Sequence, residues 1–241
     1  MYAYTASNVS LLFELTFRPP VFELPQIANE FCRAMYLHMS KIWAIDPADI
    51  RTVTNPTLAD NFVAISFFNG SAKVRLQPDK LIVNFQNATQ KDRPLIENSL
   101  LAIANALAGQ VPPTRWNASR LSFNSELILK DGADARNKIL ESFVPSTGRR
   151  INLDPSMNIW HGHRVDVLID DWLCEIDIGQ RWKEMGSLWL GAGISPFSGQ
   201  TQGDSDSDAS TRVQVLFQVL DKAVEMVLSN LDLARDTSGE S

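Results

Sequence analysis

The sequence predicts an α+β protein built from two similar β-α-β-β-β-α halves, with antiparallel sheets and helices packed on one face. Three observations lead there. Residues 9–108 read strand, helix, polar connector, three short strands, helix, and residues 119–231 can be read in the same order. The strand segments alternate apolar and polar residues with a period of two, as half-buried strands do. The helical segments carry apolar residues at helical spacing. A repeat in element order predicts two halves related by a pseudo-twofold, residues 1–111 and 112–241, with the Pro112-Pro113 pair as the seam.

In the first half, Leu11, Phe13, Leu15 and Phe17 share one face of a strand that Pro19-Pro20 stops. A helix follows from about Pro25, with Ile27, Phe31, Met35 and Ile42 on its apolar stripe. His38 falls on the same stripe and reads as a hydrogen-bonded core residue rather than a ligand. Asp46-Pro47 and Asn55-Pro56 punctuate a connector over 46–60. Three strands come next, at Phe62 to Phe68, Ala72 to Leu76 and Leu81 to Phe85. Asn69-Gly70 between the first two is a type I′ hairpin signal. Lys73 and Arg75 face one way and Val74 and Leu76 the other, so the meander has one wet side. A second helix starts at about Asp92 as its cap, carries Ile96, Leu100, Ile103 and Leu107, and ends at Gly109.

The second half opens with a strand at Leu121 to Leu129 and a short helix at Ala133 to Phe143. A polar connector runs from Pro145 to Pro155. Strands follow at Ile159 to Ile169, Trp172 to Ile178 and Ser187 to Ile194, with Asp170-Asp171 as the first turn. Residues 195–210, rich in Gly, Ser and Asp, read as a mobile acidic loop. The C-terminal helix spans Thr211 to Leu231, and the chain after Asp232 reads as a frayed tail.

Composition excludes several functions. The chain has 241 residues, 44% of them hydrophobic, and a net charge of −6. Its pI of about 5.1 opposes non-specific binding to a phosphate backbone. No basic n-region precedes Arg18, and no apolar stretch approaches a membrane span, so the reading is a cytoplasmic protein without a membrane segment. Cys32 and Cys174 read as buried thiols of a reducing compartment. No Walker A loop, GxGxxG, GxSxG or HExxH is present, and no cofactor is implied.

Two places could still carry function. His161, His163, Asp166, Asp170, Asp171, Glu175 and Asp177 form the sharpest polar cluster. His161 and His163 share a strand face, and with Asp177 they are the candidate metal ligands, since imidazole and carboxylate suit hard or borderline ions. The competing reading is the solvated face of two adjacent strands. Gln180 to Met185 mixes an aromatic residue with charges and Met, which makes Arg181, Trp182 and Met185 the candidate partner-binding residues. Five of the six tryptophans lie in the second half and read as filling its core. Asp204, Asp206 and Asp208 imitate the start of an EF-hand loop, but Ala209 and Val215 stand where Gly and Glu are required.

The run Phe62 to Phe85, a following helix and the strand at Leu121 to Leu129 carry a resemblance, extended by Val165 to Ile178 before the long final helix. In this pattern the chain resembles a family of sporadically distributed bacterial proteins of unknown function. It departs from that family where Gln90-Lys91-Asp92 replaces an aromatic residue. The resemblance implies a bacterial cytosolic protein and carries over no functional residue.

The sequence therefore predicts a non-enzymatic protein-binding or assembly module with a protein partner, which also forms a homodimer that hides its sheet edges. The alternative is a metal-dependent hydrolase or nuclease-like enzyme using the His/carboxylate cluster. Nucleic-acid binding on a saddle-like sheet is a third reading, which the acidic pI disfavours.

Overall fold

Strand β1 (Tyr2–Phe17) holds the centre of the sheet, and its sequence explains why. Leu11, Phe13, Leu15 and Phe17 are buried on one face, while Leu12, Glu14 and Thr16 point to the other. A strand with one fully apolar face needs neighbours on both sides and a cover on that face. The computed structural model describes residues 2–55, 57, 60–142, 161–180, 187–197 and 208–235.

The first half continues with helix α1 (Leu24–Met39), then β2 (Ile50–Val53), β3 (Phe62–Phe67), β4 (Ala72–Leu76), β5 (Lys80–Ala88) and α2 (Arg93–Ala108). The second half contains β6 (Trp116–Leu129), α3 (Gly132–Ser142), β7 (His161–Ile169), β8 (Trp172–Gln180), β9 (Ser187–Pro196), α4 (Ala209–Asn230) and β10 (Leu233–Arg235). The order β-α-β-β-β-α thus recurs, with β2 added to the first half and β10 to the second. The fold is mixed α+β, as expected.

The two halves share one sheet. Its order is β2-β3-β4-β5-β1-β6-β9-β8-β7. β1 and β6 pair antiparallel at the centre, from Tyr4↔Leu129 to Phe17↔Trp116. Outward from that seam each half lays down its strands in the same sequence, β5-β4-β3 on one side and β9-β8-β7 on the other. Buried side chains from the described strands face the helices. α2 packs on both α1 and α4, and α4 covers β8 and β9. Arg93 of α2 links the halves, binding Asp221 of α4 at 2.8 Å with its guanidinium 4.2 Å from the Phe217 ring centroid.

Several expectations need correction. β1 begins at Tyr2 rather than near Leu11, because a bulge breaks its alternation. Asn8 takes a positive φ of 49°, and the pairing with β6 shifts between Ser7 and Ser10. Asn87 of β5 does the same at φ 55°, beside the shift between Val9 and Leu11. Asn tolerates this left-handed conformation better than most residues, so both bulges sit where the sequence allows them. Part of the 46–60 connector is β2, which pairs with β3 through Ile50↔Ile65 to Val53↔Phe62.

Residues 233–235, the described part of the tail after Asp232, are not frayed. β10 pairs parallel with β1 through Tyr2↔Leu233 to Tyr4↔Arg235, so the sheet is not wholly antiparallel. On α1 the buried row is Leu24, Phe31, Met35 and Met39. His38 is exposed, because the four-residue step from Met35 to Met39 leaves it on the flank. Asp92 does not cap α2 with its side chain. Its carboxylate instead accepts the Thr89 N–H at 2.7 Å and the Thr89 hydroxyl at 2.8 Å. The Asn69-Gly70 turn is as predicted, with φ of 52° and 82° and the Ser71 N–H donated to the Phe68 carbonyl at 3.0 Å.

Leu15 lies in the middle of the central strand with only 1% of its surface exposed. Replacing it with Ala removes buried methyl groups and leaves a cavity. Leu15→Ala is expected to lower unfolding free energy by about 2–5 kcal/mol. Urea titration should show the midpoint falling with an unchanged slope.

Candidate functional site

Among the described residues, the helices cover one face of the sheet and leave the other open, so the residues that alternate away from the core form a continuous surface. Register identifies its rows. One row runs Ser66, Lys73, Asn84, Leu12, Ser122, Gly193, Glu175, Asp166, from β3 to β7. The next runs Arg51, Ala64, Arg75, Ile82, Glu14, Arg120, and two residues along from the first row on β9, β8 and β7 it continues as Ser195, Leu173, Leu168. In the third, Ser10, Asn124, Gly191, Asp177 and Arg164 follow one another.

Charge is unevenly distributed over this face. On the first half stand Arg51, Lys73, Arg75 and Lys80. Arg75 places its guanidinium 4.4 Å from the Phe62 ring centroid, and Arg51 lies 5.8 Å from the same ring. Both cations are held on the aromatic face without a carboxylate in that contact. On the second half stand Asp166, Glu175 and Asp177, with Arg164 among them. Among the described residues, three carboxylates against one guanidinium leave that end acidic. The middle is mixed and partly apolar. Leu12 is 37% exposed and Ile128, at the end of β6, is 47% exposed. Leu168 is 56% exposed at the β7 edge.

Of the three candidate metal ligands, only Asp177 has a described side chain, and it is engaged by an arginine. Asp177 pairs in register with Arg164, which binds it with two parallel hydrogen bonds, Nε to Oδ1 at 2.8 Å and Nη2 to Oδ2 at 3.0 Å. A third bond reaches Glu175 at 3.4 Å. This fork geometry is the strong form of the Arg–carboxylate contact. The hydrogen bond to Asp177 also holds the guanidinium even more firmly protonated than usual. His161 and His163 are backbone partners of Gln180 and Ile178, out of step by one residue with the Arg164–Asp177 row. Their side chains lie outside the described residues. Among the described residues, no group of three or more His, Cys, Asp or Glu could hold a metal ion. Asp170 and Asp171 form the β7–β8 turn, with Asp170 at φ 52°.

Arg181, Trp182 and Met185 also lie outside the described residues, as do residues 198–207 of the acidic loop. Asp208 is described, and it acts as a helix cap. Its carboxylate accepts the Thr211 N–H at 2.6 Å, which holds its pKa below the ordinary value. Of the tryptophans, Trp116 and Trp172 are buried as expected. Trp189 is not a core residue. It alternates with the buried Leu188 and Leu190 and lies half-exposed on the open face. A side chain added at Gly191 would collide with its indole ring. Glycine at 191 is thus required by the ring's close approach, a signal legible only once the β9 register is known.

Cys174 is buried on the helix side, and burial pushes its thiol up to about 11. Cys32, half-buried on α1, is also raised by burial. Neither has the electropositive surroundings of a nucleophilic thiolate. Among the described residues, no helix is long and apolar enough to cross a membrane.

No protein-family model and no curated protein matches this chain. The open face therefore has to be read from its own chemistry.

Two outcomes test this geometry. Gly191→Ala is expected to displace the Trp189 indole, changing the near-ultraviolet circular dichroism while the far-ultraviolet spectrum stays. The cost to stability is about 1–3 kcal/mol, as for other overpacked sites. In the native protein at pH 8, Cys174 should react with a disulfide reagent more slowly than Cys32. Both should react at once in denaturant.

Proposed function

We propose that this chain is a non-enzymatic protein-binding or assembly module of a bacterial cytosolic system, and that the open face of the sheet is its docking surface. One observation carries the reading. Among the described residues, a sheet nine strands wide is covered on one side by α1, α2, α3 and α4 and left uncovered on the other, with exposed Leu12, Ile128 and Leu168 on it. Apolar side chains distributed among charges over a broad, rigid surface suit a protein partner, since interfaces combine a desolvated apolar centre with a polar rim. Backbone hydrogen bonds within the sheet fix the surface in advance, so little conformational entropy is lost on binding. Arg181, Trp182 and Met185 belong to the same proposal on composition, as an aromatic and charged segment leading into β9.

Capture by the tagged, purified full chain tests the reading. The wild type is expected to retain a protein in stoichiometric amount after nuclease treatment, a second copy of the chain included. Leu12→Asp, which puts a charge in the middle of the open face, should reduce retention at least about tenfold, the equivalent of 1.4 kcal/mol. Met226→Asp on the exposed surface of α4 should leave retention unchanged. Retention that survives Leu12→Asp, or that disappears with nuclease, would exclude the open face as a protein-docking surface.

A further inference from the structure

We infer that the occupant of the open face is a second copy of this chain, stacked face to face about a twofold axis that runs along the strands over the β1–β6 seam. The inference rests on reading the open face as a protein-docking surface and adds the identity of what docks there.

Sheet order and charge together carry it. β4 is the third strand out from the seam in the first half, and β8 is the third strand out in the second. Both alternate buried apolar residues with outward charges, but the charges are opposite. β4 presents Lys73 and Arg75, and β8 presents Glu175 and Asp177. A twofold axis parallel to the strands exchanges left and right across the sheet and preserves the row. Lys73 and Glu175 lie in one row, so each Lys73 comes over the other copy's Glu175. In the neighbouring row Glu14 of β1 comes over the other copy's Arg120 of β6, and Ala64 over Leu168. Leu12 lies beside the axis, over Ser122 of the other copy. One operation thus matches Glu14 with Arg120 at the centre and Lys73 with Glu175 at each end, with Arg75 over Leu173, and it makes every contact twice, as an isologous interface requires.

The alternative twofold arrangement, with its axis across the strands, keeps each half over itself. It would set Arg51, Lys73, Arg75 and Lys80 over their own copies, a repulsive arrangement. Size is also adequate. The eight strands from β3 across to β7 that overlap about this axis, spaced roughly 4.8 Å apart, span roughly 34 Å, and five residues along each strand cover roughly 17 Å. The footprint is roughly 580 Å² per copy, or roughly 1,160 Å² in total, above the roughly 1,000 Å² that a specific interface needs. Stacked sheets pack with strands near parallel, the arrangement this axis produces.

The test is the mass of the full chain by sedimentation equilibrium, from micromolar to hundreds of micromolar, in low and high salt. The wild type is expected at twice 26.9 kDa in low salt, with the dimer weakened by 0.5 M sodium chloride. Two charge-reversed variants decide the geometry. Lys73→Glu with Arg75→Glu makes both ends acidic, and Asp166→Lys with Glu175→Lys makes both ends basic. Each should be monomeric alone, with unchanged far-ultraviolet circular dichroism. Mixed in equal amounts, they should recover the dimer mass, because each supplies the charge the other lacks. A wild type that stays monomeric overturns the inference, as do variants that remain dimeric or a mixture that stays monomeric. A monomer that still captures a different protein through Leu12 overturns the second-copy occupant and leaves the docking surface standing. Loss of both together overturns both readings.

Discussion

The β1–β6 pairing is the interaction on which the rest of the structure depends. It runs nearly the full length of both strands, and every other strand reaches the seam through one of them. β5 and β9 pair on its two flanks, and their partners follow outward. The bulge at Asn8 lies inside this pairing and keeps apolar side chains on the helix face across the whole of β1. Tyr4 and Ala6 serve before it, and Val9, Leu11 and Phe13 after it. Without that one extra residue the two ends of β1 would present their apolar side chains to opposite faces.

Once the seam is fixed, the two faces divide the work. The helix face holds a single continuous core from Phe31 and Met35 of α1 to Leu216 and Leu220 of α4. Arg93 bridges α2 and α4 through Asp221 and Phe217, so the helical layer is joined across the halves as the sheet is. The open face holds the charge, cationic toward β4 and acidic toward β8. Arg164 shows how that asymmetry is kept orderly. It clamps Asp177 with two bonds and touches Glu175, so the acidic end is a held arrangement rather than a loose row. The same clamp engages the one candidate metal ligand whose side chain is described. Asp177 already has a cation in its own register row.

How much was legible follows from how local each signal is. β3, β4 and β5 alternate strictly, and the Asn69-Gly70 turn has its own chemistry, so that meander could be read from the residues alone. The repeated element order was legible for the same reason. β2 and β10 were not, because strands of four and three residues carry too little pattern and are defined by the partner they find. The first part of β1 was hidden by its bulge. In the candidate site, the outward position of Lys73, Arg75, Glu175 and Asp177 was legible from alternation. Which of them share a row was not, because the row from β4 to β8 crosses five strand pairings set by distant parts of the chain. His163 and Asp177 illustrate the gap. They are near in sequence and in adjacent strands, yet the hairpin register separates them by one step.

The closing of β10 onto the start of β1 also constrains when this molecule can become whole. Tyr2 finds Leu233 across 231 positions, and Phe13 finds Leu121 across 108. During synthesis β1 emerges first, and β5 can join it on one flank once Ala88 is made. Its other flank stays bare until β6 follows, and its first residues wait for nearly the whole chain. Contacts so distant along the sequence make folding slow. The chain therefore carries a half-paired central strand from the completion of β5 at Ala88 until β6 is made. The early β1–β5–β4–β3 meander, roofed by α1 and α2, is the piece that shelters it meanwhile.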